Sequence, residues 1–160
     1  MDKELGFLEK NKSEKFGEPE ISLIFPAYNE ADRIEDAVEK TIKTLQKIAS
    51  SYEIIIAEDG STDGTAEIAS RLSKTYTSVK HLHSNKRLGR GRSLARAFKS
   101  SRGKIIAYMD VDLSTSLKHL EDLISAVRDE GYDFAIGSRL LPESKVERTT
   151  SRTLASRAYN

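Results

Sequence analysis

The chain has 160 residues, a formal net charge of +1, 38% hydrophobic and 32% charged residues, and no cysteine. That length suits one domain able to bury roughly two-thirds of its unfolded surface. The missing cysteine excludes disulfides, thiolate metal ligands and a cysteine nucleophile. The N-terminus lacks the apolar core of a signal peptide, and no apolar run approaches the ~18–20 residues a spanning helix needs. The three histidines, His81, His83 and His119, match no familiar zinc-binding spacing.

Residues 1–19, rich in Lys, Glu, Asn and Gly, read as a flexible tail ending at Pro19. Ile21–Phe25 is expected as the first strand, stopped by Pro26. Between Ala31 and Ser50, the spacing of Ile34, Val38, Ile42, Leu45 and Ile48 predicts an amphipathic helix. Tyr52–Ala57 is the most apolar predicted strand. The polar turn Glu58-Asp59-Gly60-Ser61-Thr62-Asp63-Gly64-Thr65 follows, and its Ser, Thr and Asp can cap a helix running to about Lys74. Val79–His83 predicts a short third strand, and Gly91–Ser101 a helix with Leu94, Ala97 and Phe98 on one face. Lys104–Met109 reads as a buried fourth strand, Leu117–Val127 as a helix ending near Gly131, and Asp133–Gly137 as a fifth strand. Strands alternating with helices imply βαβ crossovers and a mostly parallel, Rossmann-like α/β sheet covered on both faces.

The chemistry-bearing residues cluster just after these strands, where open parallel sheets bind ligands. Pro26-Ala27-Tyr28-Asn29-Glu30 follows the first, Glu58-Asp59-Gly60-Ser61 the second, Asp110-Val111-Asp112 the fourth and Gly137-Ser138-Arg139 the fifth. Two carboxylates at i, i+2 on a bending backbone can share one hard cation, Mg²⁺ or Mn²⁺, which keeps positions open for phosphate oxygens. Asp59 can accept from a base N–H, and Tyr28 offers a ring to stack. No Gly-x-Gly-x-x-Gly follows the first strand and no Walker-type loop is present, which argues against a dinucleotide cofactor and a P-loop ATPase. From Ser84 to Met109 there is no acid, but Lys86, Arg87, Arg90, Arg92, Arg96, Lys99, Arg102 and Lys104. Phe98 is the one aromatic residue among these cations, too few for the interleaved stacking that nucleic-acid binding would require. The segment Leu88-Gly89-Arg90-Gly91-Arg92 suits contact with a phosphate where a helix opens.

Phe25-Pro26-Ala27-Tyr28-Asn29-Glu30, Glu58-Asp59-Gly60-Ser61-Thr62-Asp63-Gly64-Thr65, Asn85-x-x-x-Gly89-x-Gly91, Asp110-Val111-Asp112-Leu113 and Gly137-Ser138-Arg139 occur in this order over Ile21–Asn160. In that combination the chain resembles the family 2 glycosyltransferases of GT-A fold, and most of all the dolichyl- or polyprenyl-phosphate hexosyltransferases. Asp110–Thr115 and Arg152-x-x-x-Ser156-x-x-Tyr159-Asn160 lean towards the glucosyl branch, while the mannosyl branch usually has Gln where Ser114 stands. Glu58 departs from the usual Asp by one methylene.

The resemblance implies a nucleoside-diphosphate sugar donor, such as UDP-glucose or GDP-mannose. Its base and ribose would be held by Pro26, Tyr28, Glu30 and Asp59, with Ala27, Glu58, Gly60 and Val111 beside them and Arg90 towards the phosphates. Mg²⁺ or Mn²⁺ would sit on Asp110 and Asp112. The acceptor would be a dolichyl or polyprenyl phosphate that attacks the sugar's anomeric carbon with inversion, in a cytoplasmic enzyme peripheral to the membrane's cytosolic face. Residues 20–138 would form the donor-binding domain. Relatives continue well past Asn160, so residues 139–160 are expected to begin an acceptor-side segment that is cut short. Asp112, Arg139 and Arg152 are the expected catalytic residues, the two arginines gripping the acceptor phosphate. Two other readings are transfer to a sugar hydroxyl, which needs a general base, and a nucleotide-sugar-binding fragment without activity.

Overall fold

The computed structural model describes residues 17–138. By internal contacts the chain divides after Glu121. In the first unit, four parallel strands stand in the order β3-β2-β1-β4: β1 Ile21–Ala27, β2 Tyr52–Glu58, β3 Val79–Leu82 and β4 Ile105–Tyr108. Helices α1 Ile34–Ile48, α2 Thr65–Thr75 and α3 Arg90–Ser100 make the crossovers.

Register explains what each face of the sheet carries. Ser22 stands beside Glu53, Ile24 beside Ile55 and Ala27 beside Glu58. Alternation therefore sends Glu53, Ile55 and Ala57 to one face and Ile54, Ile56 and Glu58 to the other. On the first face Ala97 of α3 closes over Ile24, Ile55 and Ala57, with Leu82 and Leu94 at the margin. Helices α1 and α2 touch one another, and Ile34, Val38, Leu45 and Leu72 are wholly or almost wholly buried. Each such Leu or Ile contributes about 1.5–3 kcal/mol of hydrophobic stabilisation, so β1 and β2 anchor the loops at their carboxyl ends.

At the opposite, amino-terminal edge, Glu53 is buried. It accepts from Ser22 Oγ (2.6 Å) and the Arg102 N–H (2.8 Å) and faces Lys80 Nζ at 2.5 Å. Ser22 Oγ in turn accepts from the Gly103 N–H (2.8 Å).

Two expectations need correcting. The fourth strand is not a buried central strand: β4 pairs with β1 alone among the described residues, and Ile106 and Tyr108 are exposed. The short apolar run Ile105-Ile106-Ala107-Tyr108 fits an edge as well as a centre, and only the pairing distinguishes them. The stretch Asp133–Gly137 is not a strand. It belongs to the second unit, where helix α4 (Leu120–Arg128) ends and Tyr132 N–H donates to Ala126 O at 3.2 Å. Phe134 and Ile136 are 77% and 75% exposed. The alternation is that of a strand, but no described strand of that unit offers a ladder to pair with.

Candidate functional site

The carboxyl ends of β1, β2 and β4 carry three loops that hold one another in place. After β1, the Asn29 N–H donates to Ser61 Oγ (3.1 Å) while its side-chain Oδ1 accepts from the Thr62 N–H (2.9 Å). The Glu30 N–H donates to Thr65 Oγ1 (2.8 Å) and the Ala31 N–H to Asp63 Oδ2 (3.0 Å). Asn29 adopts the left-handed conformation, φ 56°, a cost a short amide side chain tolerates better than most. Asp63 Oδ1 also accepts from the Thr65 N–H (3.0 Å), the first N–H of α2, but the N-cap position itself is Gly64 and carries no side-chain cap.

The loop before α3 is fastened to the same turn. Asp59 is almost fully buried, and its carboxylate accepts from the Leu88 N–H (2.8 Å) and the Gly89 N–H (2.9 Å). At Gly60, φ +71°, an added Cβ would lie 2.7 Å from Arg87 N and from Lys86 C, so the two loop backbones touch where a side chain would be. This close approach lays the Arg87 guanidinium 3.9 Å from the centre of the Tyr28 ring.

The carboxylates gather on the β1 and β4 side. The Asp110 side chain is paired with Arg90 at 2.5 Å. Asp112 is exposed, with Oδ1 accepting from the Ser114 N–H at 2.9 Å across a turn in which Leu113 has φ 51°. Burial raises the pKa of Glu30; Arg33 opposes this, while the nearby charges of Asp112, Asp63 and Asp110 raise it further. These acids therefore feel one another across the site. An oxygen-only set with one or two free carboxylates suits Mg²⁺ or Mn²⁺, which take the remaining ligands from water and phosphate.

On the β2 and β3 side, Glu58 is fully buried. Its Oε1 accepts from the Ser61 N–H and its Oε2 faces His83 Nδ1, each at 2.5 Å. Burial would raise the Glu58 pKa, but hydrogen bonds from Ser61 and His83 outweigh it and hold the carboxyl below its ordinary range.

The sequence model of glycosyl transferase family 2 matches residues 22–159. The chain belongs to this family. It is 47% identical over 143 residues to glycosyltransferase AglD of Haloferax volcanii, a match covering 88% of this chain and 23% of that protein. It is 36% identical to the dolichol-phosphate mannosyltransferase of Pyrococcus furiosus (79% of this chain, 35% of that protein). It is 31% identical to the dolichyl-phosphate beta-glucosyltransferase ALG5C of Trichomonas vaginalis (67% and 33%). Among solved structures it resembles the mannosyltransferase PcManGT of Pyrobaculum calidifontis in complex with GDP-Man and Mn²⁺, with a TM-score of 0.60, 25% identity, and coverage of 71% of this chain and 33% of that one. The fold is the α/β GT-A fold with a parallel sheet. The chain thus spans 23–35% of the length of these curated relatives.

Within this family 2 domain, the loops bring together Tyr28, Glu30, Glu58, Asp59, Gly60 and Arg90, with Asp110 and Asp112 at the end of β4. Pro26 and Ala27 close β1, and Val111 is buried in the turn between the two aspartates. Arg139 and Arg152 lie outside the described residues. Three features differ from the sequence reading. Asp59, assigned to a base, also clamps the Leu88–Gly89 loop; each carboxylate oxygen can accept a second bond, so both roles fit one side chain. Arg90 is engaged with Asp110. Arg87, read only as one cation among eight, covers a face of the ring expected to stack on the base, and no local sequence signal indicates that contact.

Proposed function

We propose that this chain is the donor-binding part of an inverting glycosyltransferase that moves a hexose from a nucleoside-diphosphate sugar to a dolichyl or polyprenyl phosphate. The observation that carries the proposal is the convergence of Glu30, Asp110, Asp112 and Arg90 at the carboxyl edge of the parallel sheet, next to the Tyr28 and Asp59 loops. The relatives whose names include dolichol-phosphate or dolichyl-phosphate transferases support the acceptor class. The PcManGT complex with GDP-Man and Mn²⁺ supports the donor and metal classes.

In this reading Tyr28 stacks on the base and Asp59 accepts its N–H, with Pro26, Ala27, Glu58, Gly60 and Val111 shaping the pocket. Mg²⁺ or Mn²⁺ on Asp110 and Asp112 supplies positive charge for the diphosphate leaving group. Arg90 would give up Asp110 and turn to the diphosphate, so its positive charge stays within the site. A lipid monophosphate is mostly dianionic at neutral pH, its second pKa being near ~6. It attacks the anomeric carbon without a general base, and Arg139 and Arg152 grip it through their planar forks. Residues 20–138 form the donor domain, and 139–160 open the acceptor side. Among the described residues no helix is long and apolar enough to cross a membrane; the proposed reaction takes place at the cytosolic face, where the lipid phosphate is presented.

The test is release of nucleoside diphosphate from UDP-glucose or GDP-mannose with Mn²⁺, with and without polyprenyl phosphate, for wild type and Asp112→Asn. Release stimulated by the lipid phosphate and abolished by the substitution is expected. Release stimulated by a sugar hydroxyl instead would reassign the acceptor, and donor binding without any transfer would reduce the chain to a binding module.

A further inference from the structure

A second cluster of metal-ligating atoms stands at the β2–β3 edge, and its members have no role in the proposed transfer through their inward-facing atoms. In the ladder, His81 pairs with Ile56, so His81 and, two residues on, His83 share the face of Glu58. The ligand atoms of Glu58, His81 and His83 all lie within 4.8 Å of one another. Oε2 of Glu58 is 2.5 Å from His83 Nδ1 and 3.9 Å from His81 Nε2. Tetrahedral ligands on bonds of about 2.0–2.1 Å stand about 3.3–3.4 Å apart, so a small outward shift of one histidine and inward shift of the other suffice.

Two further observations point to a cation. Nε2 of His81 is buried without a hydrogen-bond partner, and an orphaned buried polar atom is destabilising. Both ring nitrogens of His83 face oxygens, Nδ1 the Glu58 carboxylate and Nε2 Asn85 Oδ1 at 3.0 Å. A cation between Glu58 and the two rings would satisfy the orphaned Nε2 of His81, and the Asn85 contact would then fix the His83 ring as outer partners of metal-bound histidines do. Oε1 of Glu58 stays on the Ser61 N–H. His83 is half-exposed, which gives an entry path and a position for water as fourth ligand.

We propose that Glu58 Oε2, His81 Nε2 and His83 Nδ1 form a binding site for a divalent cation of the Zn²⁺ class, distinct from the oxygen-only Asp110–Asp112 pair. Imidazole nitrogens select such an ion over Mg²⁺. The bound ion would tie β3 and the Asn85 loop to the Glu58 turn, and so brace the wall of the base pocket.

The experiment is titration of the full chain, stripped with chelator, by Co²⁺ in a large excess of Mg²⁺. One equivalent should bind with the visible absorption of four-coordinate cobalt, and the same equivalent should bind in Asp112→Asn. Asn85→Ala should weaken it about 10–100-fold, and His83→Gln, a half-exposed position chosen to spare the fold, by more than that. Zn²⁺ should raise the melting temperature of wild type in a concentration-dependent way and leave that of His83→Gln unchanged. No cobalt binding under excess Mg²⁺, an equivalent lost in Asp112→Asn, or wild-type binding by His83→Gln with native circular dichroism would each overturn the site.

Discussion

Arg90, the first residue of α3, reaches Asp110 at the end of β4, with Nη2 2.5 Å from Oδ1. The pair is solvent-accessible, 58% and 41% exposed, so as a structural bond it contributes at most about 1 kcal/mol. Its importance is that the proposed metal competes with Arg90 for Asp110, while the diphosphate competes with Asp110 for Arg90. Arg90→Gln should raise the Kd of the nucleoside diphosphate in Mn²⁺ by about tenfold, as for a lost charge-assisted hydrogen bond of ~1.5–3 kcal/mol. Mn²⁺ alone should bind as tightly or more tightly, because a competing cation is gone. Calorimetry of both ligands checks this. Weaker Mn²⁺ binding would mean that Arg90 prepares Asp110 for the metal.

Asp59 carries a structural duty that its proposed base contact would otherwise obscure. Asp59→Asn keeps one carbonyl acceptor and replaces the other with a donor facing the Leu88 or Gly89 N–H. The loss of one buried bond is expected to destabilise the fold by about 1–3 kcal/mol. Hydrogen exchange at Leu88 and Gly89 should accelerate even without nucleotide. If exchange is unchanged and only nucleotide affinity falls, the base contact is the dominant role.

Much of this arrangement was legible in the residues. The 3.6 period of Ile34, Val38, Ile42 and Leu45 placed α1 to within three residues at its start and two at its end, and the apolar run Ile54–Ala57 placed β2 to within one. The motifs after β1, β2 and β4 stand at one sheet edge because every connection is a parallel crossover. What was not legible depends on which strands are neighbours. His81 and His83 lie two apart, a strand spacing, but their third partner Glu58 comes from another strand in a register no local pattern encodes. The same holds for Arg87 on Tyr28, which follows from the close approach at Gly60, and for β4 as an edge.

Glu53, at the sheet edge away from the site, should govern part of the acid stability. Burial would raise its pKa, but Lys80, Ser22 and the Arg102 N–H outweigh burial and leave it below the ordinary range. A depressed folded-state pKa stabilises the fold above the unfolded value near ~4.3 and ceases to do so as pH falls through the lower folded value. Lys80 and Arg102 are 40% and 53% exposed and can return to water when the acid is removed. Glu53→Gln should therefore cost about 1–3 kcal/mol at pH 7, not the 3–5 of a fully buried broken pair. The gap to wild type in urea denaturation should narrow below about pH 4, and equal gaps at pH 7 and pH 3 would assign the effect to packing alone.

Gly60 and Gly64 permit a test that separates backbone strain from loop contact. Both have positive φ, +71° and +97°, so alanine at either is expected to destabilise by about 1–2 kcal/mol through the left-handed conformation alone. Only at Gly60 does the new Cβ meet neighbours, and these are backbone atoms of Lys86 and Arg87 that cannot rotate away; at Gly64 nothing lies within 4 Å. Gly60→Ala must push the 84–89 loop outwards, carrying Arg87 off the Tyr28 ring and stretching the bonds from Leu88 and Gly89 to Asp59. Thermal melts should show both variants weakened, Gly60→Ala more. Nucleoside-diphosphate affinity, measured below the melting transition, should fall for Gly60→Ala and stay near wild type for Gly64→Ala. Equal affinity in the two would place the base away from the Tyr28–Arg87 pair and leave that contact a purely structural one.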